Sequence, residues 1–291
     1  MDDGIDAARQ RFADLPHRPL HPELRVEDRS IQGPAGPIAI RIYWPPTDPG
    51  DNAAPPVVLY FHGGGFVIGD LDTYDGASRQ HAVGAGAIVV SVDYRLAPEH
   101  PYPAAIEDAW AATLWVADHG AEIGADTTRL AVAGDSAGGN ISAVLAQLAR
   151  DNGGPPIAFQ LLWYPATLWD ATLPSFTENA AAPILDAKAV AAFSRWYAGG
   201  IDMSDPPPGM APGRAENLTD LAPAYIGVAG YDPLRDDGIR YGELLAAAGV
   251  PVEVDNAETM VHGFIAYAGV VPAATAALER GLAALRAALH P

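Results

Sequence analysis

A chain of 291 residues, nearly half of them hydrophobic, is long enough to bury one sizeable core, and a mean hydropathy near zero fits a soluble globular protein. A formal net charge of −19 makes a surface that repels phosphate backbones and anionic lipids, which argues against nucleic acid or membrane as partners. The absence of cysteine excludes disulfides, thiolate nucleophiles and cysteine-ligated metals together.

The start Met1-Asp2-Asp3-Gly4 lacks the basic-then-apolar order of a secretory leader, and no apolar run reaches bilayer length, so a cytoplasmic location is expected. Residues 5–15 place Ile5, Ala8, Phe12 and Leu15 at helical spacing. Strands are expected at 24–31 and 38–43, separated by the turn Gly33-Pro34-Ala35-Gly36-Pro37. Pro45-Pro46 through Pro55-Pro56 reads as a proline-rich surface loop. The continuous apolar run 57–61 suits a strand buried on both faces, and 87–92 is a second such run. A helix at 104–118 carries Ile106, Trp110, Leu114 and Trp115 on one side. A short strand at 130–133 leads into a helix over 137–150. Strands at 159–163, 224–228 and 252–254 and helices at 234–248 and 272–290 follow. In the last helix Leu278, Leu282, Leu285 and Leu289 form one stripe.

Strand and helix taking turns implies an α/β fold with a mostly parallel sheet and helices on both faces. One segment interrupts the alternation. Residues 173–221 offer no buried strand, only a helical piece at 187–197 and the run Pro206-Pro207-Pro208-Gly209. An insertion of that length is commonly a binding element. The expectation is a single catalytic domain over 1–291, with a small helical cap built from about 1–20 and about 173–221.

Gly134-Asp135-Ser136-Ala137-Gly138 follows a strand and opens a helix, the context in which G-x-S-x-G places a serine on a tight, strained turn. The glycines clear space for crossing backbone, and the helix N-terminus favours developing negative charge. A bare anion-binding turn is the competing reading of this motif alone. His62-Gly63-Gly64-Gly65-Phe66 directly follows the strand at 57–61. Successive glycines let backbone N–H groups approach a developing oxyanion with no side chain in the way. A phosphate loop is disfavoured there, because no G-x-x-x-x-G-K-[S/T] is present and the chain is acidic.

His-Gly-Gly-Gly-Phe, then Asp93-Tyr94-Arg95-Leu96-Ala97-Pro98-Glu99-His100-Pro101-Tyr102-Pro103-Ala104-Ala105, then Gly-Asp-Ser-Ala-Gly-Gly, occur in this order. From about residue 38 onward the chain resembles the hormone-sensitive-lipase-like branch of the α/β-hydrolases, its bacterial esterases in particular. The resemblance implies an oxyanion hole from the backbone N–H groups of Gly64, Gly65 and Ala137. It makes His62 a structural residue of the loop and Asp93, Tyr94, Arg95 and Glu99 bracing residues beside the site. The segment ahead of His62 is short for this branch, so a reduced N-terminal half of the cap is expected.

A hydroxyl nucleophile needs a base and a group that orients the base, in the chain order Ser, Asp or Glu, His for this fold. Asp232, at the end of the strand at 224–228, matches the acid of the resembled family within Asp-Pro-Leu-Arg-Asp. Asp236 and Asp237 read as first-turn helix residues favoured by the helix dipole. His262, in Met260-Val261-His262-Gly263-Phe264, follows the last strand, and downstream of Asp232 only His290 competes with it. His17, His21, His81, His100 and His119 receive no chemical role. Neither H-E-x-x-H nor a tight His/Asp cluster is present, so no metal and no cofactor are expected.

These readings converge on a serine carboxylesterase with the triad Ser136, Asp232 and His262. The resemblance implies short- to medium-chain acyl esters as small-molecule substrates. Phe66, Phe193, Trp196, Tyr197, Met203 and Met210 are candidates for the substrate pocket, with cap-to-core packing as the alternative role of each. An amidase or deacetylase uses the same triad and differs only in pocket contacts. Plant gibberellin receptors resemble this branch without a working triad, so the retained triad argues against a receptor. A homodimer is kept as a candidate assembly.

Overall fold

The structure is a computed structural model that describes residues 4–15, 20–46 and 53–291. His17, part of the expected N-terminal cap element and the middle of the proline-rich loop lie outside the described residues.

The framework is one eight-stranded sheet in the order β1-β2-β4-β3-β5-β6-β7-β8. β1 (Val26–Gly33) and β2 (Gly36–Tyr43) form an antiparallel hairpin, and β2 runs against β4 (Ile88–Asp93). β3 (Pro56–Phe61), β5 (Asp126–Asp135), β6 (Ile157–Trp163), β7 (Ala224–Tyr231) and β8 (Val252–Val261) pair in parallel with one another, and β3 pairs in parallel with β4. The sheet is mostly parallel, as the alternating pattern implies.

The apolar runs are continuous because each central strand feeds two cores. Val57, Leu59 and Phe61 enter one core with Val90, Val92, Leu130 and Val132, whereas Val58 and Tyr60 enter the other with Val89, Ala131 and Ala133. The period of two along a strand sends alternate side chains to opposite faces, so a strand covered on both sides is apolar at nearly every position. On the first face the sheet packs against α3 (Ala104–His119) and α4 (Ala137–Asp151). On the second it packs against α2 (Asp75–Ala85) and α8 (Pro272–Leu289), whose stripe Leu278, Leu282, Leu285 and Leu289 is buried. Beside α4, α7 (Arg235–Ala247) closes a third cluster over β6 and β7 through Tyr241 and Leu245.

Several elements differ from the expected ones. α2 carries no apolar stripe, since it buries Ser78, His81, Ala82 and Ala85, which is why its pattern is silent in the sequence. β5 begins four residues earlier than expected, and β8 continues from Val252 to Val261. The extra residues of β8 are mostly polar because β8 is an edge strand that pairs only with β7. Between 173 and 221 no strand forms. The segment holds α5 (Pro174–Glu178) and α6 (Ala187–Ala198), the latter capped by the Asp186 carboxylate accepting from the Ala189 N–H at 2.7 Å. α1 (Ile5–Ala13) is present at the N-terminus and buries no residue completely.

The topology places the site. β3, β5, β7 and β8 are parallel, so their C-terminal ends lie along one edge of the sheet. His62, Ser136, Asp232 and His262 each follow one of these ends by a single residue. That edge is where open α/β sheets hold their ligands.

Candidate active site

Ser136 is the N-cap of α4 and adopts φ 55°, ψ −113°, a conformation that costs a non-glycine residue on the order of 1–3 kcal/mol. The turn is held by its surroundings. Ser136 N–H donates to the Trp163 carbonyl at 2.8 Å, and the Ser136 carbonyl accepts from Asn140 N–H at 3.1 Å. A Cβ at Gly138 would overlap the Phe61 carbonyl oxygen, and one at Gly134 would overlap the Gly138 backbone. Both positions therefore require glycine for close backbone approach, which brings the end of β3 against the start of α4.

Two further side chains meet Ser136. His262 Nε2 lies 2.9 Å from Ser136 Oγ, and His262 Nδ1 lies 2.6 Å from Asp232 Oδ2. An ionised Asp232 can only accept, so Nδ1 carries the ring proton and Nε2 is free to accept from the serine hydroxyl. The other Asp232 oxygen accepts from the Leu234 N–H at 2.8 Å, and Asn179 donates to the Asp232 carbonyl at 3.1 Å. The Tyr164 ring packs on the imidazole with centroids 4.6 Å apart. All three residues are buried, Asp232 completely.

Gly64 and Gly65 have φ 96° and 61°, and Phe66 continues the left-handed run at 65°. Among the described residues, no protein acceptor takes the N–H of Gly64, Gly65 or Ala137. Three unpaired donors thus sit on the two loops that touch at Gly138. His62 is fully buried, its Nδ1 2.7 Å from the Gly63 carbonyl, and its ring stacks on Tyr94. Burial pulls its pKa down to about 4. Tyr94 O–H donates to the His62 carbonyl at 2.8 Å. Arg95 grips Asp108 with Nε and Nη2, and Glu99 pairs with Arg9.

Asp135 stands in the middle of the motif and was not singled out by the sequence pattern. Its Oδ1 accepts from the Gly63 N–H and from Tyr60 O–H, each at 2.9 Å. One carboxylate thereby joins the residue before Ser136 to the start of the glycine loop. Burial raises its pKa to about 6, opposed by the Tyr60 hydrogen bond and by His262. Its partners are far apart in sequence, and the only sequence signal is a charged residue where a buried strand ends.

Asp236 and Asp237 both stand in the first turn of α7, as expected. Asp237 is in addition fully buried, accepting from the N–H groups of Thr167, Leu168 and Trp169 and from the Thr167 hydroxyl. Asp236 pairs with Arg235 and accepts from the Ser175 N–H.

The six candidate pocket residues divide. Tyr197 and Met210 are fully buried and Phe66 is 1% exposed, and Phe66 stacks on Tyr197 at 3.6 Å between centroids. These three pack the interior. Phe193, Trp196 and Met203 are partly exposed on the cap side of the same cluster. The Phe193 ring lies directly over Gly65, where even an added Cβ would collide with it. No group of three or more His, Asp or Glu among the described residues is placed to hold a metal ion.

The sequence profile described as the alpha/beta hydrolase fold matches residues 58–266. The chain belongs to the α/β-hydrolase family. Within it, this α/β-hydrolase falls in the hormone-sensitive-lipase-like esterase branch. It is 77% identical over 290 residues to Esterase LipI of Mycobacterium tuberculosis, covering 100% of this chain and 90% of the relative. It is 60% identical over 294 residues to Carboxylesterase NlhH of the same species, covering 99% of this chain and 91% of the relative. The solved structure of DphMB1 superposes with a TM-score of 0.94 at 64% identity, covering 99% of this chain and 93% of that one. No helix among the described residues is long and apolar enough to cross a membrane.

Proposed function

We propose that this carboxylic-ester hydrolase works through an acyl-enzyme on Ser136. One observation carries the reading: Ser136 Oγ, His262 and Asp232 form a continuous hydrogen-bonded chain with links of 2.9 and 2.6 Å. His262 Nε2 takes the hydroxyl proton as Oγ attacks the ester carbonyl. The negative charge moves to the carbonyl oxygen, which the N–H groups of Gly64, Gly65 and Ala137 receive. His262 returns the proton to the departing alkoxide, and the alcohol leaves. Water, deprotonated by the same imidazole, then cleaves the acyl-enzyme to the carboxylic acid and free Ser136. Asp232 holds the imidazole in the tautomer that can accept and stabilises its protonated form. Each oxyanion donor contributes on the order of 10²–10³ in rate.

The acyl group is short to medium in length. The support is Phe193, whose ring covers Gly65 and leaves little height above the oxyanion loop. α6 and its flanking segment serve as the cap that carries this ceiling. Ser136→Ala is expected to abolish hydrolysis of 4-nitrophenyl acetate and butyrate while the thermal unfolding transition is retained. Wild-type turnover in that variant would sink the reading. An aryl acetamide assayed beside the esters tests the amidase alternative, which equal or faster amide turnover would favour.

A further inference from the structure

The glycine loop after β3 is a strained piece of backbone. Gly64, Gly65 and Phe66 are three consecutive left-handed residues, and Phe66 has no glycine freedom to excuse it. Such a conformation persists only where the surroundings over-determine it. Three fasteners come from the body and from α6: Gly63 N–H on Asp135, Ala97 N–H on the Phe66 carbonyl at 2.8 Å, and the Phe66 ring on Tyr197. A fourth comes from α1. Arg9 Nε donates to the Val67 carbonyl at 2.8 Å, at the residue that closes the left-handed run.

The rest of the same guanidinium is also used. Nη2 donates to the Ala97 carbonyl at 3.0 Å, and Nη1 and Nη2 each donate to one Glu99 oxygen at 2.7 Å. Arg9 therefore spans the two backbone segments that already bond each other through Ala97 and Phe66. Only a planar fork reaches two carbonyls and a bidentate carboxylate at once, and a lysine ammonium cannot. α1 also rests on the body through Ile5 and through the Phe12 ring beside Tyr74. It buries no residue completely, and a groove of about 410 Å³ lined by Arg9, Phe12, Asp93 and Leu96 runs along its inner side.

We propose that Arg9 is a positioning residue for ester hydrolysis, coupling the docking of α1 to the shape of the oxyanion loop. The inference rests on the acyl-enzyme reading, because only that chemistry makes the aim of the Gly64 and Gly65 amides matter. With Arg9 seated, the Val67 carbonyl is pinned and the preceding amides keep their direction. With α1 lifted away, the left-handed run loses its C-terminal fastener and the donors swing off the oxyanion. The effect falls on the transition state, since the ground-state ester carbonyl makes weaker use of those donors.

The test compares Arg9→Ala, Arg9→Lys and Glu99→Gln with the wild type, reading kcat and KM for 4-nitrophenyl butyrate. The rate of Ser136 phosphorylation by diethyl 4-nitrophenyl phosphate is read in parallel. Arg9→Ala and Arg9→Lys are expected to lower kcat on the order of tenfold with KM within about twofold. The inactivation rate is expected to fall in parallel, because the phosphoryl oxygen uses the same donors. Glu99→Gln keeps both carbonyl bonds and is expected to lose no more than about threefold, as befits a half-exposed ion pair. Unchanged kcat in both Arg9 variants, a rise in KM alone, or an equal loss in Glu99→Gln would overturn the proposal. Should Arg9→Ala not fold, Arg9→Lys decides the question. Absence of ester turnover in the wild type would instead overturn the acyl-enzyme reading, so the two failures are told apart.

Discussion

The floor of the site and its roof are built to different standards. On the floor, Ser136, Asp232 and His262 are buried, each one residue beyond a parallel strand, and every heteroatom of the chain from Asp232 to Ser136 has a short partner. The proposed roof is α6 with its flanking loops, where Phe193, Trp196 and Met203 stay partly exposed and Ile184 is 66% exposed. The difference teaches where each property resides. Under the proposed mechanism, reaction class belongs to the strand edge and substrate size to side chains that can be exchanged without disturbing the sheet.

Substitutions can break this contrast or sharpen it. The largest effect on rate is expected on the floor. Asp232→Asn should lower kcat about 10⁴-fold with little change in KM, because the amide stabilises the wrong imidazole tautomer; steady-state kinetics would show it, and a loss under tenfold would break the contrast. The largest effect on folding is expected from Gly138→Ala. Its new Cβ would overlap the Phe61 and His62 carbonyls, both rigid backbone, so the cost should reach at least about 3 kcal/mol, read as a drop in the urea midpoint or failure to express folded.

Smaller effects belong to the roof. Phe193→Ala is expected to leave the thermal midpoint nearly unchanged and to raise the kcat/KM ratio of octanoate to acetate esters by roughly tenfold. An unchanged ratio would mean that the ceiling over Gly65 does not limit the acyl chain. The smallest expected effect concerns Asp135. Burial raises its carboxyl in the folded state to about 6, so folding favours the protonated form. That contribution is fully present below the unfolded carboxyl range near pH 4 and is lost as pH rises through 6. Asp135→Asn carries no such titration. Its Tm measured relative to wild type is therefore expected to rise by a few degrees between pH 4 and 6.5, and a flat difference would contradict the assigned burial cost.

Much of this was open to reading in the sequence, for definite reasons. The central strands declare themselves because burial on two faces leaves almost only apolar residues at 57–61 and 87–92, Ser91 being the exception. The glycines around Ser136 and after His62 declare themselves because steric need cannot be met otherwise. α2 escapes because small and polar side chains fill its buried face, and the far part of β8 escapes because an edge strand keeps polar residues. Among the pocket candidates, the sequence does not separate Tyr197, Met210 and Phe66 from Phe193, Trp196 and Met203, since an aromatic or Met residue is as apt to face the core as a cavity. Asp237 is legible as a first-turn carboxylate, but its partners are not, because such a residue looks alike whether it meets water or the three amides of 167–169.

By itself the sequence determined the fold class and the order of the motifs, the glycine loop after His62, Gly134 to Gly138, Asp232 and His262, because strand periodicity and glycine sterics are local and leave a pattern in consecutive residues. Only the tertiary structure decided which residues touch. The tie from Asp135 to Gly63, the clamp from Arg9 to Val67 and the seat of Phe193 over Gly65 join segments 72, 58 and well over 100 residues apart. Hydrogen bonds and ring contacts over such separations depend on the packing of whole elements, which no local pattern records.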